Sequence, residues 1–152
     1  MKKLCTAEEA VNHVNSNQRV FLHGGAATPT ALVDALVLES PRLRDVELIH
    51  LHTSGDAKYA KPEYARSFRV ANLFVGHNMR KQLDGDRVDY LPCFLSEIPQ
   101  LFRSGRRAID VAMVQVRSSC SCCRYLSKKS LLEAAVASSN CTLATGNGMR
   151  HR

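Results

Sequence analysis

Arg19-Val-Phe-Leu-His-Gly-Gly-Ala-Ala-Thr-Pro-Thr-Ala-Leu-Val-Asp-Ala-Leu36 carries the pattern that decides the fold. An apolar run, Val20 to Leu22, enters a Gly24-Gly25 turn. Thr28 follows as a candidate helix cap, with Pro29 at a natural first helical position. Ala31, Leu32, Ala35 and Leu36 then recur at helical spacing. The stretch reads as strand, glycine turn, helix. Glycines let a backbone come close to a ligand, and N–H groups at a helix start favour an anion or a developing oxyanion. The plainer reading is a turn that merely redirects the chain, as in many doubly wound proteins.

The same alternation extends on both sides. Thr6-Ala-Glu-Glu9 forms a capping box ahead of a helix whose buried side is Ala10, Val11 and Val14. After the helix that runs from about Pro29 to Glu39, Pro41 ends that segment and Val46 to His52 reads as the second strand. Residues 53–66 read as a polar loop, and residues 67–76 contain the third strand. A short helix is expected over Asn78 to Leu83, a fourth strand over Val88 to Pro92, and a helix over Ser96 to Gly105 with Ser96 as its cap. Ile109 to Val116 is the fifth strand. Strands separated by helices of this length imply right-handed crossovers and an open, mostly parallel α/β sheet.

Charge and cysteine content divide the chain at Val116/Arg117. The 152 residues carry a net charge of +7. Residues 117–152 hold six Lys or Arg against the single Glu133, a balance of +5. The other fifteen basic and thirteen acidic side chains leave residues 1–116 at +2. A body so nearly balanced has no nucleic-acid footprint. The segment after Arg117 also holds four of the six cysteines, seven serines and one candidate short helix, Ser130 to Ala137. It is expected to be partly disordered. No apolar run approaches the ~18 residues of a membrane-spanning helix. The amino terminus is too short in apolar residues for a signal peptide, and Glu8 and Glu9 argue against a transit peptide. The expected location is the cytoplasm, with mitochondria as the alternative.

Several polar residues attract chemistry by position. His50 and His52 share one face of a strand, but with no third ligand in view they read as structural histidines rather than a metal pair. Cys120, Cys122, Cys123 and Cys141 lack the paired spacing of a zinc site, and no secretory signal supports a disulfide framework. Asn78, after Gly76 at a strand end, can donate to a carbonyl oxygen and accept from an amide. Arg80 and Lys81 suit phosphate but read first as a solvated face. Glu97 falls in the first turn of the expected helix beside Ser96, where charge–dipole attraction accounts for it.

His23-Gly-Gly-Ala-Ala-Thr-Pro29, Leu73-Phe-Val-Gly-His-Asn-Met-Arg80, Val88-Asp-Tyr-Leu-Pro92, Leu95-Ser-Glu-Ile-Pro99 and Asp110-Val-Ala-Met-Val-Gln-Val116 occur in order. Together they resemble the amino-terminal part of the acetyl-CoA hydrolase/transferase family, which includes 4-hydroxybutyrate and acetate CoA-transferases. The resemblance covers about residues 4–116. It implies the CoA-transferase type of open α/β sheet, and CoA transfer between an acyl-CoA and a short-chain carboxylate in acetate metabolism. Coenzyme A enters as a thioester substrate, with no covalently bound cofactor. On this reading Gly24, Gly25, Ala26, Thr28 and Asn78 are the candidate substrate and CoA-binding residues.

Members of that family use a glutamate carboxylate as nucleophile, passing through a mixed anhydride to a glutamyl-CoA thioester. That glutamate belongs to a second domain, and none of Glu8, Glu9, Glu39, Glu47, Glu63, Glu97 or Glu133 matches it. The resemblance stops at Arg117-Ser-Ser-Cys-Ser-Cys-Cys-Arg124, which points to a shifted reading frame, a different exon or a truncated gene. The expectation is therefore a truncated CoA-transferase-like domain with no catalytic residue of its own. The alternatives are an acyl-CoA hydrolase, and a non-catalytic CoA-binding or regulatory fragment. Expected partners are an acyl-CoA and a small carboxylate, together with a homo-oligomer or an intact subunit, and neither nucleic acid nor membrane.

Overall fold

Five short strands lie side by side in one sheet, in the order β4-β3-β2-β1-β5, and every pairing is parallel. A computed structural model describes residues 6–115. The strands are β1 (Arg19–Leu22), β2 (Val46–His50), β3 (Phe68–Asn72), β4 (Val88–Tyr90) and β5 (Val111–Met113). The helices are α1 (Ala7–Val11), α2 (Thr30–Leu38) and α3 (Ile98–Arg103). The readings of the Cys/Ser-rich segment, including the helix over Ser130 to Ala137 and the cysteine cluster, lie outside the described residues. No helix among the described residues is long and apolar enough to cross a membrane.

Strand alternation sorts the core onto the two sheet faces. Val20, Leu22, Leu48 and Val70 join Val11, Leu32 and Leu36 of α1 and α2 in one cluster. Phe21, Ile49 and Ala71 join Ile98 and Phe102 of α3 in the other. Phe21 meets Phe102 edge-on at 5.8 Å. Burial on both faces explains why β1, β2 and β3 are mostly apolar, with Glu47 and Arg69 among the polar exceptions.

Local chemistry sets several ends as expected. Thr6 accepts from the Glu9 N–H, while the Glu9 carboxylate accepts from the Thr6 N–H at 3.1 Å, completing the capping box. Val11 and Val14 are fully buried. Other ends differ. Thr28 does not cap α2; Pro29 is the capping position and no side chain bonds there. Thr28 is instead spent inside the preceding turn. Residues 77–82 form turns, in place of the helix expected over Asn78 to Leu83. The start of α3 is preceded by a 3₁₀ turn, Leu95–Glu97, in which Glu97 accepts from the Phe94 N–H at 3.2 Å; Ser96 is not the cap. Residues 53–66 are not simply a polar loop. They hold two 3₁₀ turns, Lys58–Ala60 and Pro62–Tyr64, and bury Tyr59 and Ala60.

The amino-end edge of the sheet is tied by charge. Glu47 of β2 receives the Arg19 guanidinium of β1 on one oxygen and the Arg107 guanidinium, at 2.9 Å, on the other. Arg19 also donates to the Ala108 carbonyl at 3.0 Å, so the approach to β5 is pinned against β1 and β2. These groups are partly exposed, and screening limits what they contribute. Glu47→Gln is expected to lower the unfolding free energy by roughly 0.5–1 kcal/mol, with a smaller loss at high salt. Urea titrations at low and high ionic strength check this; equal losses in both would contradict the ionic account.

Candidate functional site

The strand order reverses at β1. From β1 the chain steps outward through β2, β3 and β4, then returns across the sheet to place β5 on the other side of β1. In open α/β sheets the crevice at the carboxyl ends of such a pair is the favoured ligand position. The Gly24-Gly25 turn leaves β1 at that point.

Three glycines close around one histidine here. A Cβ on Gly24 would sit 2.5 Å from the His52 carbonyl oxygen, so the turn lies directly on the backbone that extends β2. Gly25 has φ +60 and stands beside the His52 imidazole. A Cβ on Gly76 would meet the His52 Cβ at 3.3 Å and the Asn78 Oδ1 at 2.9 Å. The close approach that the glycines permit is therefore first an approach of chain to chain. Gly25 and Thr53 form a parallel bridge, with the Gly25 N–H donating to the His52 carbonyl at 2.8 Å.

Most donors of the turn are spent on the turn. The Ala27 N–H donates to the Gly24 carbonyl and the Thr28 N–H to the Gly25 carbonyl. The Thr28 hydroxyl donates to the Gly25 carbonyl at 2.7 Å and accepts from the Ser54 N–H at 3.0 Å. Among the described residues, the Gly24 and Ala26 N–H groups make no hydrogen bond. Ala26 is exposed. Asn78 donates through its side-chain amide to the Thr53 carbonyl at 3.0 Å and the Gly55 carbonyl at 2.9 Å. It ties two loops together and keeps only Oδ1 facing Gly76. The five candidate residues thus lie along one rim at the carboxyl ends of β1, β2 and β3. Gly24 and Ala26 present donors, while Thr28, Asn78 and Gly25 hold the shape.

Beside the rim lies a shallow cavity of about 190 Å³, whose lining includes Thr28, Thr30, Thr53, Ser54 and Tyr59. Lys58 and Asp34 pair at its mouth at 3.0 Å. That ion pair raises the Lys58 ammonium above its ordinary range, and the side chain stays charged.

Sequence reasoning set His50 and His52 side by side as equivalents, and the structure separates them. His50 ends β2 and is fully buried, its Nε2 3.0 Å from the Tyr59 hydroxyl. Burial pushes its pKa down to about 4, so the ring is neutral. His52 is exposed at the rim and meets Phe74 edge-on at 5.8 Å. His23, immediately before the glycines, is buried, and desolvation lowers its pKa too. Its Nδ1 is buried without a partner among the described residues. Tyr59 and Thr53 were missed because each carries its meaning through a partner several residues away. The one sequence signal was an aromatic residue inside an otherwise polar stretch.

The sequence profile of the acetyl-CoA hydrolase/transferase N-terminal domain matches residues 1–120. The chain is 38% identical over 115 residues to the 4-hydroxybutyrate coenzyme A transferase of Clostridium kluyveri, covering 76% of this chain and 27% of that protein. It is 40% identical over 111 residues to the succinyl-CoA:acetate/propanoyl-CoA:succinate CoA transferase of Fasciola hepatica, covering 72% of this chain and 23% of that protein. The crystal structure of RipA from Yersinia pestis superposes with a TM-score of 0.68 at 25% identity, over 78% of this chain and 30% of that one. The chain thus spans about a quarter of the length of the curated relatives it matches.

Proposed function

The chain belongs to the acetyl-CoA hydrolase/transferase family, its residues 1–120 matching that family's N-terminal domain, and from this premise we propose that it supplies the acyl-CoA-facing rim of a CoA-transferase. The observation that carries the reading is the Gly24-Gly25 turn at the carboxyl end of β1, where the strand order reverses. The N–H groups of Gly24 and Ala26, unpaired among the described residues, suit the carbonyl oxygen of a thioester or a carboxylate. Thr28 and Asn78 hold that rim by their bonds to residues 25 and 53–55. The substrate class is an acyl-CoA together with a short-chain carboxylate. A hydrolase would use the same rim with water as acceptor.

The binding reading without turnover is favoured for the 152-residue polypeptide by itself. The family mechanism calls for a glutamate held against the thioester. Here Glu9 serves the α1 cap, Glu39 pairs with Arg42 at 2.6 Å, Glu47 holds two arginines, and Glu97 accepts from the Phe94 N–H. Glu8 lies in the first turn of α1, and Glu63 in the turn that precedes β3. A misplaced nucleophile costs orders of magnitude in rate.

The purified polypeptide is expected to bind acetyl-CoA weakly and to exchange no labelled acetate into it. Adding an intact CoA-transferase subunit is the route by which it would join a working site. Exchange above the buffer rate by the polypeptide alone would overturn the no-turnover reading. Hydroxylamine trapping would then show whether Glu97 carries the acyl group. Absence of any acetyl-CoA binding would overturn the rim assignment.

A further inference from the structure

Behind the rim runs a buried chain of polar groups. Tyr59, His50 and Thr53 are 1%, 0% and 6% exposed. The Tyr59 hydroxyl lies 3.0 Å from the His50 Nε2 and 2.8 Å from the Thr53 Oγ1. The His50 and Tyr59 rings meet edge-on at 5.8 Å. The His50 Nδ1 faces the Leu51 carbonyl at 3.5 Å, which disfavours a lone pair on that nitrogen and assigns it the proton. Nε2 then accepts, the Tyr59 hydroxyl donates to it, and the Thr53 hydroxyl donates to Tyr59. The direction of the whole chain follows from one carbonyl.

Thr53 is where that chain meets the rim. Its backbone bridges to Gly25, and its carbonyl accepts from Asn78. The next residue, Ser54, donates from its N–H to Thr28 and from its hydroxyl to the Gly25 carbonyl at 2.9 Å. Gly25, Thr28 and Asn78 therefore all bond to residues 52–55, and the Thr53 hydroxyl links that segment to the core.

We propose that Thr53 and Tyr59, backed by His50, are positioning residues that hold the Gly24-Gly25 turn and Asn78 in register as one acyl-CoA rim. The proposal deepens the CoA reading and rests on it for the identity of the ligand. The positioning itself is read without any ligand. A neutral hydroxyl–imidazole bond taken out of water is directional, and removing one partner leaves the other unsatisfied. The cost is expected at the segment that the hydroxyl holds, and from there at the turn.

The test compares Thr53→Val, Thr53→Ser and Tyr59→Phe in the full 152-residue chain, at a temperature where circular dichroism shows each folded. Valine keeps the shape of threonine and loses the hydroxyl, whereas serine keeps the hydroxyl. Two quantities are measured: hydrogen exchange of the Gly25 amide, and the dissociation constant for acetyl-CoA. Thr53→Val and Tyr59→Phe are expected to speed Gly25 exchange and weaken binding about five- to tenfold, the size of one lost neutral hydrogen bond. Thr53→Ser is expected to behave as the parent. If Thr53→Val and Tyr59→Phe lower the melting temperature but leave Gly25 exchange and acetyl-CoA affinity at parental values, the residues only stabilise the core and the proposal fails. If the parent chain binds no acetyl-CoA, the functional reading fails, and Gly25 exchange alone still decides the positioning role.

Discussion

Gly24→Ala is expected to destabilise the protein by about 3 kcal/mol, the upper part of the range for forcing an extra carbon into a packed site. The added Cβ would lie 2.5 Å from the His52 carbonyl oxygen. That oxygen is backbone, and it already accepts the Gly25 N–H at 2.8 Å. Relief requires the turn and the end of β2 to separate, which breaks the bridge between Gly25 and Thr53. Gly25→Ala makes a useful contrast. Its φ of +60 puts an alanine in the left-handed region, at a cost of about 1–2 kcal/mol. The new Cβ would meet only the His52 ring, at an ordinary 3.5 Å. Urea unfolding of the two variants should therefore rank Gly24→Ala as the more damaging. Equal or reversed costs would show that the turn does not lie against β2 as described. The same variants should lose acetyl-CoA affinity in the same order, because the rim donors move with the turn.

The second large effect is a loss of stability in mild acid, carried by His50. An imidazole in water has an ordinary pKa near 6.5, and complete burial lowers that of His50 to about 4, with nearby His52 adding a smaller push in the same direction. The folded state therefore refuses a proton that the unfolded chain accepts. Between about pH 6.5 and pH 4 the unfolded state binds more protons, so stability falls as pH falls. The contribution is present in full above the unfolded value and is lost as pH drops towards the folded one. A shift of this size is worth roughly 3 kcal/mol. His23 is shifted the same way by its burial and adds to the slope. Nuclear magnetic resonance of the imidazole Cε1 protons should show His50 unchanged through the range in which an ordinary histidine titrates. A normal titration of His50 would refute the account. Replacing His50 with Gln should flatten the pH dependence of urea unfolding in the same window.

How much of this was legible depends on the range of the interaction. The capping box of Thr6 and Glu9 spans three residues and is written entirely in local chemistry. The three central strands announce themselves because most of their side chains are buried and apolar on both faces. Their pairing as a parallel sheet followed from the intervening crossovers. The glycine pair that follows the first strand was legible too, as a turn at the end of that strand. Other features were misread for one shared reason. Thr28 resembles a cap until Ser54, 26 residues away, takes its oxygen. Asn78 resembles a helix start until the loop at residues 53–55 claims its amide. Tyr59 resembles a loop residue until His50 satisfies its hydroxyl inside the core.

The roles of the glycines show where the boundary falls. That residues 24 and 25 make a turn at the end of a strand is a property of the sequence alone, since glycine's freedom and the apolar run before it are local. Which of the two is intolerant of a side chain is not local. It depends on the His52 carbonyl, and therefore on β2 being the parallel neighbour of β1. Likewise the sequence alone determined the class of fold, through periodicity and capping over a few residues. Only the tertiary structure decided that β5 returns to the far side of β1 and leaves the turn where the strand order reverses. It alone set a neutral histidine, a tyrosine and a threonine behind that turn. Short-range preferences choose the elements, and long-range packing chooses which polar groups they meet. The second choice is the one that builds the site.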